Sequence, residues 1–201
     1  DTSVPAAAAA AAAPRALSGD PIPGGKYRAT FTCVGSDEDE LSFEKGAIII
    51  LSSRNADKLE VLKAKLPHAE KHSILPLDVS NENIINQALI SRKELINSVD
   101  VLINNAGISQ RALTWEASRE SERLIMETNF FGATALTKAV LPGMMQRNSG
   151  SIISLSSPAG SFGFPMRSSY SASKHALHGY FDSLRAELDA AKKNIHIMLV
   201  L

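Results

Sequence analysis

The sequence predicts an α/β protein built on a doubly wound parallel sheet, and three observations lead there. From Gly46 onward, short apolar runs alternate with amphipathic stretches of helical length, the rhythm of successive β-α units. The apolar runs are hydrophobic throughout rather than at every second residue, as strands covered by helices on both faces must be. Polar residues follow closely on these runs, at Arg54, Asp78, Asn105 and Ser157. In such a sheet the ligand crevice lies beyond the carboxyl ends of the strands, so residues far apart in sequence are expected around one opening.

The first strand of this series is expected over 47–51, followed by a helix over about 56–66 that turns Leu59, Val61, Leu62 and Leu66 inward. A short strand at 73–77 and a helix at 84–96 come next. Residues 99–103 form a continuous apolar strand apart from Asp100, ending abruptly in Asn104-Asn105-Ala106-Gly107. One long helix is expected over about 118–146, then a strand over 151–155. The helix beginning near Ser168 places Leu177, Tyr180, Phe181, Leu184 and Leu188 on one face, and a last strand covers 195–201. Ahead of all these, residues 1–26 are rich in Ala, Pro and Gly. They hold too few apolar anchors to offset their ordering entropy, and a disordered tail is expected.

Composition narrows the function classes. A chain of 201 residues suffices for one substantial core. With 21 basic and 21 acidic residues and no basic block, nucleic acid is not an expected partner. No apolar stretch is long enough to span a bilayer. The Ala6–Ala13 run follows Asp1 rather than a basic segment and holds no bulky apolar residue, unlike the core of a secretion signal. The single cysteine, Cys33, excludes an internal disulfide framework and is compatible with a reducing compartment, so a cytoplasmic location is expected. No metal site is expected: none of the five histidines shows ligand spacing, and His175 and His178 read as surface or core-edge residues.

The chemistry concentrates near the C-terminal end, in Ser169-Tyr170-Ser171-Ala172-Ser173-Lys174. A four-residue helical step puts the Lys174 ammonium beside the Tyr170 phenol, and a neighbouring cation favours phenolate, so the group can exchange a proton near neutrality. Ser157, at the end of the preceding strand, can point its hydroxyl into the same space and hold a substrate oxygen while charge develops on it.

With these residues in hand, the stretch 46–201 resembles the short-chain dehydrogenases/reductases. The matching pieces are Asn104-Asn105-Ala106-Gly107, Asn129 in Glu127-Thr128-Asn129-Phe130-Phe131-Gly132, Ser157 in Ser154-Leu155-Ser156-Ser157-Pro158, and Tyr170 with Lys174. The resemblance implies a Rossmann-like sheet and hydride transfer between a nicotinamide and a secondary alcohol or carbonyl compound. It also implies roles: Tyr170 as acid/base, Ser157 holding the substrate oxygen, Lys174 on the nicotinamide ribose, and Asn129 holding a water that links Lys174 to solvent. Asn105, Ala106 and Gly107 would line the cofactor, Asp78 would contact the adenine, and Val79 would lie against its ring. Assembly into a homo-oligomer through the two long helices is implied as well.

Ser52-Ser53-Arg54 after the first apolar run carries no acid to grip a ribose 2'-hydroxyl, and Arg54 can pair with a 2'-phosphate. NADP is therefore expected over NAD, with Ser53 and Arg54 at the phosphate; a solvated arginine entering a helix is the other reading. Phe162, Phe164 and Met166 hint at a hydrophobic substrate, and equally suit packing.

The same resemblance exposes gaps, and the domain is expected to be incomplete at both ends. Family members open with a strand, a glycine-rich turn and a helix that receives the pyrophosphate, a unit expected to be absent here. The only glycine between Tyr27 and Gly46 is Gly35, and the acidic run Asp37 to Glu40 would repel a diphosphate. Residues 27–51 resemble instead the start of an SH3 domain, so 27–45 is expected to be an SH3-like fragment or an irregular segment. The family's lid and final strand beyond Leu201 are likewise expected to be missing. The alternative to an oxidoreductase is a catalytically silent or truncated protein that acts, if at all, through protein–protein contacts.

Overall fold

A computed structural model describes the backbone of residues 28–32 and, with side chains, residues 48–201. Six strands form one sheet: β1 (Arg28–Thr32), β2 (Ile48–Ser52), β3 (Ser73–Ile74), β4 (Val101–Asn104), β5 (Gly150–Leu155) and β6 (Ile195–Val200). Their spatial order is β3-β2-β1-β4-β5-β6, and every neighbouring pair is parallel. The chain builds outward from β1 to β3 and then outward again from β4 to β6. The reversal falls between β1 and β4, where such sheets open a crevice at their carboxyl edge.

The centre of this sheet corrects an expectation. Part of the stretch read as an SH3-like fragment or irregular segment supplies β1, which pairs Thr30 with Ile50 on one side and with Leu102 on the other. The opening strand expected to be absent is therefore present. Thr30, Phe31 and Thr32 are good strand formers, but a five-residue run without an apolar period carries little signal until partners flank it. The expected tail over 1–26, the acidic run 37–40 and the remainder of 33–45 lie outside the described residues.

Alternation along β2 divides the core. Ile50 enters the main cluster, where α2 (Glu82–Ser91), α3 (Lys93–Asn97), α5 (Gly132–Arg147) and α6 (Ser168–Ala190) contribute Ile85, Ile96, Leu136, Val140, Leu177 and Phe181. Ile49 and Leu51 point the other way, onto Leu59 and Leu66 at α1 (Ala56–Lys65). On β6 the same alternation buries Ile195 and leaves Met198 and Val200 exposed.

Helix starts follow local chemistry. The side chains of Asn55, Asn81 and Ser118 accept from Lys58, Ile84 and Ser121 backbone N–H groups, capping α1, α2 and α4 (Arg119–Met126). Three helical expectations change. Val61 and Leu62 are 60% and 38% exposed rather than inward: at 100° per residue Leu59 and Leu66 share a stripe, while Val61 falls opposite it. The helix expected over 84–96 breaks at Arg92, whose φ of −126° and ψ of 28° end α2 and begin α3. The long helix expected over 118–146 is interrupted by a π-helical turn at Glu127–Phe131, between α4 and α5.

Candidate active site

Tyr170 and Lys174 ride the first turns of α6, which is held down by Leu177, Phe181, Leu184 and Leu188 in the core. That packing leaves Lys174 only 5% exposed at the end of β5, where its Nζ donates to the Leu155 carbonyl at 2.6 Å. Burial disfavours the charged form and lowers its pKa from 10.5 to about 8. The ammonium lies 5.7 Å from the Tyr170 ring centroid, and the Arg167 guanidinium stands at the same distance from that ring. The expected Tyr170–Lys174 pairing on one helix face is thus the observed one.

A cleft of about 250 Å³ opens over this pair, with Asn105, Gly107, Leu155, Ser156, Tyr170 and Lys174 in its walls. Asn105 and Gly107 reach it because β4 ends at Asn104, a buried residue whose amide donates to Thr137 at 3.2 Å and Ser154 at 3.1 Å. Those bonds fasten the end of β4 to α5 and β5. A methyl group on Gly107 would stand 3.6 Å from Asn129 Oδ1 and 3.8 Å from Lys174 Nζ. The glycine therefore leaves a gap beside the ammonium. Ala106 packs against the main core instead.

Asn129 sits in the π turn and is 1% exposed. Its Oδ1 accepts from Ile108 N–H at 2.8 Å, while Nδ2 donates to Ile108 O and to Ser173 Oγ, both at 2.9 Å. The extra residue of a π turn re-aims a side chain that an uninterrupted helix would place elsewhere. Here it clamps the β4 loop to α6.

Ser157 occupies the turn after β5, where its hydroxyl accepts from Ala159 N–H at 3.2 Å and caps the 3₁₀ turn Pro158–Gly160. Its own proton is left to donate. The cleft wall at this point is Ser156, one residue earlier.

The other sequence-derived residues gather at the opposite end of the carboxyl edge. Leu75 and Leu77 N–H groups donate to Leu51 and Ser53 carbonyls, extending the β3 segment and carrying Asp78 alongside Ser53-Arg54. The Asp78 carboxylate accepts from Ser80 Oγ at 2.7 Å and Ser80 N–H at 2.9 Å. The Ser80 hydroxyl above all, with help from the Ser80 N–H and the Arg54 charge, holds its pKa below the ordinary value against an opposing desolvation. Ser53 Oγ accepts from Asn55 N–H, and Arg54 is exposed. Val79 is 7% exposed within the main core, packed against Gly132, so its side chain serves packing. β1 and β4 separate this group from β5, roughly 14 Å at ~4.8 Å per strand.

Four site residues escaped the sequence reading: Asn104, Ser156, Arg167 and His178. Asn104 was legible as part of a motif but not as a brace. Arg167 precedes Tyr170 by most of a turn, and His178 follows Lys174 by four residues on the same face. Helical spacing was the available signal for both. Among the described residues, no helix is long and apolar enough to cross a membrane.

Known proteins resemble this chain in sequence and fold. The family model for short chain dehydrogenase matches residues 36–201. A "Dehydrogenase/reductase SDR family protein 7-like" of Anopheles gambiae is 43% identical over 166 residues, covering 79% of this chain and 51% of its own length. The chain thus spans about half the length of this curated relative. A short-chain dehydrogenase from Streptomyces avermitilis superposes with a TM-score of 0.75 at 27% identity, covering 87% of this chain and 64% of that one. The closed form of serine dehydrogenase complexed with NADP+ gives 0.65 at 35% identity, covering 71% and 57%. A sheet that reverses between β1 and β4, a tyrosine and lysine one turn apart at its carboxyl edge, and a family match over most of the sequence agree: the chain belongs to the short-chain dehydrogenase family.

Proposed function

We propose that the protein is an oxidoreductase that transfers a hydride between NADP(H) and a secondary alcohol or carbonyl compound, with Tyr170 as the acid/base. The observation that carries this reading is the buried Lys174 ammonium, anchored on the Leu155 carbonyl and 5.7 Å from the Tyr170 ring in one cleft. A buried cation beside a phenol is costly unless it acts on something.

The residues fit a dinucleotide. Gly107 keeps the wall beside Lys174 to bare backbone, where any Cβ would fill the gap, and Asn105 and Lys174 offer donors to ribose hydroxyls. Arg54 and Ser53 suit a 2'-phosphate, with Asp78 and the neighbouring Val79 backbone at the adenine end. The nicotinamide, when bound, supplies or accepts the hydride. On this reading Tyr170 gives the proton to a carbonyl oxygen, or takes it from an alcohol, while the Ser157 hydroxyl donates to that same oxygen. Lys174 steadies the phenolate, and a water in the gap between Lys174 and Asn129 returns the proton to solvent. The exposed Phe162, Phe164 and Met166 favour a hydrophobic substrate. Exposed Leu124 and Phe131 along α4 and the π turn favour a homo-oligomer through these helices.

Saturating NADPH is expected to raise the melting temperature and to gain fluorescence on binding; if neither changes, the reading fails. A second reading, a silent chain acting through protein contacts, is favoured by the acidic run Asp37 to Glu40 and the lack of a glycine-rich turn before Gly46. The same titration separates the two.

A further inference from the structure

We infer that His178 is a positioning residue that, through Ser156, holds the turn carrying Ser157 in register with Tyr170. The inference rests on the oxidoreductase reading for its kinetic consequence and on geometry for the rest. Ser156 Oγ and His178 Nε2 share a 2.7 Å hydrogen bond, and Ser156 N–H donates to the Val200 carbonyl at 2.7 Å. Gly160 closes the arrangement from the other side. A Cβ there would lie 2.6 Å from His178 Nε2 and 2.7 Å from Ser156 Oγ, closer than packed atoms tolerate. The turn after β5 is thus folded tightly around one imidazole.

The spacing gives this bond its meaning. Tyr170, Lys174 and His178 form an i, i+4, i+8 stripe on α6. Lys174 ties that stripe to the carbonyl of Leu155, and His178 ties it to the hydroxyl of Ser156, the next residue. Two successive residues of the β5 end are therefore stapled to two successive turns of the helix that carries the phenol. Ser157 comes directly after the second staple. Its own hydroxyl is occupied locally, accepting from Ala159 N–H, so the Ser156–His178 bond sets where the turn sits relative to α6. Displacing a reacting group by about 1 Å costs roughly 100-fold in rate, which is the scale on which such a staple matters.

The experiment compares the wild-type chain with His178→Ala, Ser156→Ala and His178→Gln, the last retaining a hydrogen-bonding nitrogen at similar reach. Amide exchange over residues 155–161 is expected to rise at least ~10-fold in both alanine variants and to return toward wild type in His178→Gln. Carbonyl reduction by NADPH is expected to lose about 10-fold in kcat with KM for NADPH within about 2-fold, with the double alanine variant no worse than either single one. Equal exchange in wild type and His178→Ala overturns the inference, as does an exchange rise that His178→Gln leaves in place. A wild-type chain that neither binds NADPH nor turns over overturns the oxidoreductase reading instead, and the exchange arm still decides the staple.

Discussion

The two ends of the carboxyl edge are built differently. Around β4, β5 and α6 the polar groups are buried and tied to one another: Asn104, Asn129 and Lys174 are each at most 6% exposed and bonded to a neighbouring element. Around β2 and β3 the outer face is covered by a small cluster under α1, Arg54 is exposed, and the side-chain bonds of Asp78 and Ser53 reach only two residues along the chain. One end is positioned before any ligand arrives, while the other presents groups to solvent.

Their ionisation tells the same story with opposite sign. Asp78 and Lys174 both have lowered pKa values. For the carboxyl this adds stability above its unfolded value of ~3.9, lost as pH falls through the folded value. For the buried lysine it is a cost, fully present below about 8 and relieved as pH rises toward 10.5. A group that weakens the fold at neutral pH is kept where the proposed chemistry lies, and one that strengthens it sits at the β2–β3 end.

The sharpest way to break this contrast is Tyr170→Phe. It should lower kcat about 1,000-fold, some 4 kcal/mol, with NADPH binding retained; unchanged turnover would remove the phenol from the chemistry. Next is Gly132→Ala, whose methyl would meet the Val79 carbonyl at 2.5 Å and the Val79 Cβ at 2.8 Å. Overpacking here should cost about 2–3 kcal/mol and lower Tm by about 5–10 °C, because Gly132 joins the two ends by seating the Asp78-Val79 segment on α5. An undiminished Tm would mean the ends are mechanically separate.

Lys174→Met removes the desolvated charge, about 3 kcal/mol at neutral pH, and loses one hydrogen bond of about 1 kcal/mol. The variant should melt about 5 °C higher at pH 7 while turnover collapses, and the advantage should shrink as pH rises from 8 to 10.5. A variant that melts lower would show that the lysine is structural. The smallest effect is expected from Arg54→Ala, about 10-fold weaker binding of NADPH with NADH unaffected, read by fluorescence titration. Equal losses for both nucleotides would assign the arginine to something other than a 2'-phosphate.

Much of the Tyr170–Lys174 end was legible in the chain. Tyr170 and Lys174 meet because a four-residue step on a helix brings side chains together whatever surrounds them, and the polar residues after β2, β4 and β5 follow from parallel strands sharing one carboxyl edge. Less was legible where the signal is not periodic. Asn129 lies in a π turn that no pattern over 118–146 announces, and the apolar Val61 and Leu62 were assigned inward although α1 buries only a narrow stripe. Nor does the place of Val79 beside Asp78 announce that its side chain is buried in the core.

The sequence by itself determined the alternation of strands and helices, the Tyr170–Lys174 pair and the alignment of Arg54, Asp78, Asn105 and Ser157 along one edge, because these depend on local periodicity and chain direction. Tertiary structure alone decided that Arg28–Thr32 fills the sheet centre, that Lys174 loses its water, and that His178 reaches Ser156. Each of those depends on which neighbour is present in space. A five-residue strand gains its hydrogen bonds from partners on both sides, and an ionisable group takes its character from the atoms that replace its solvent.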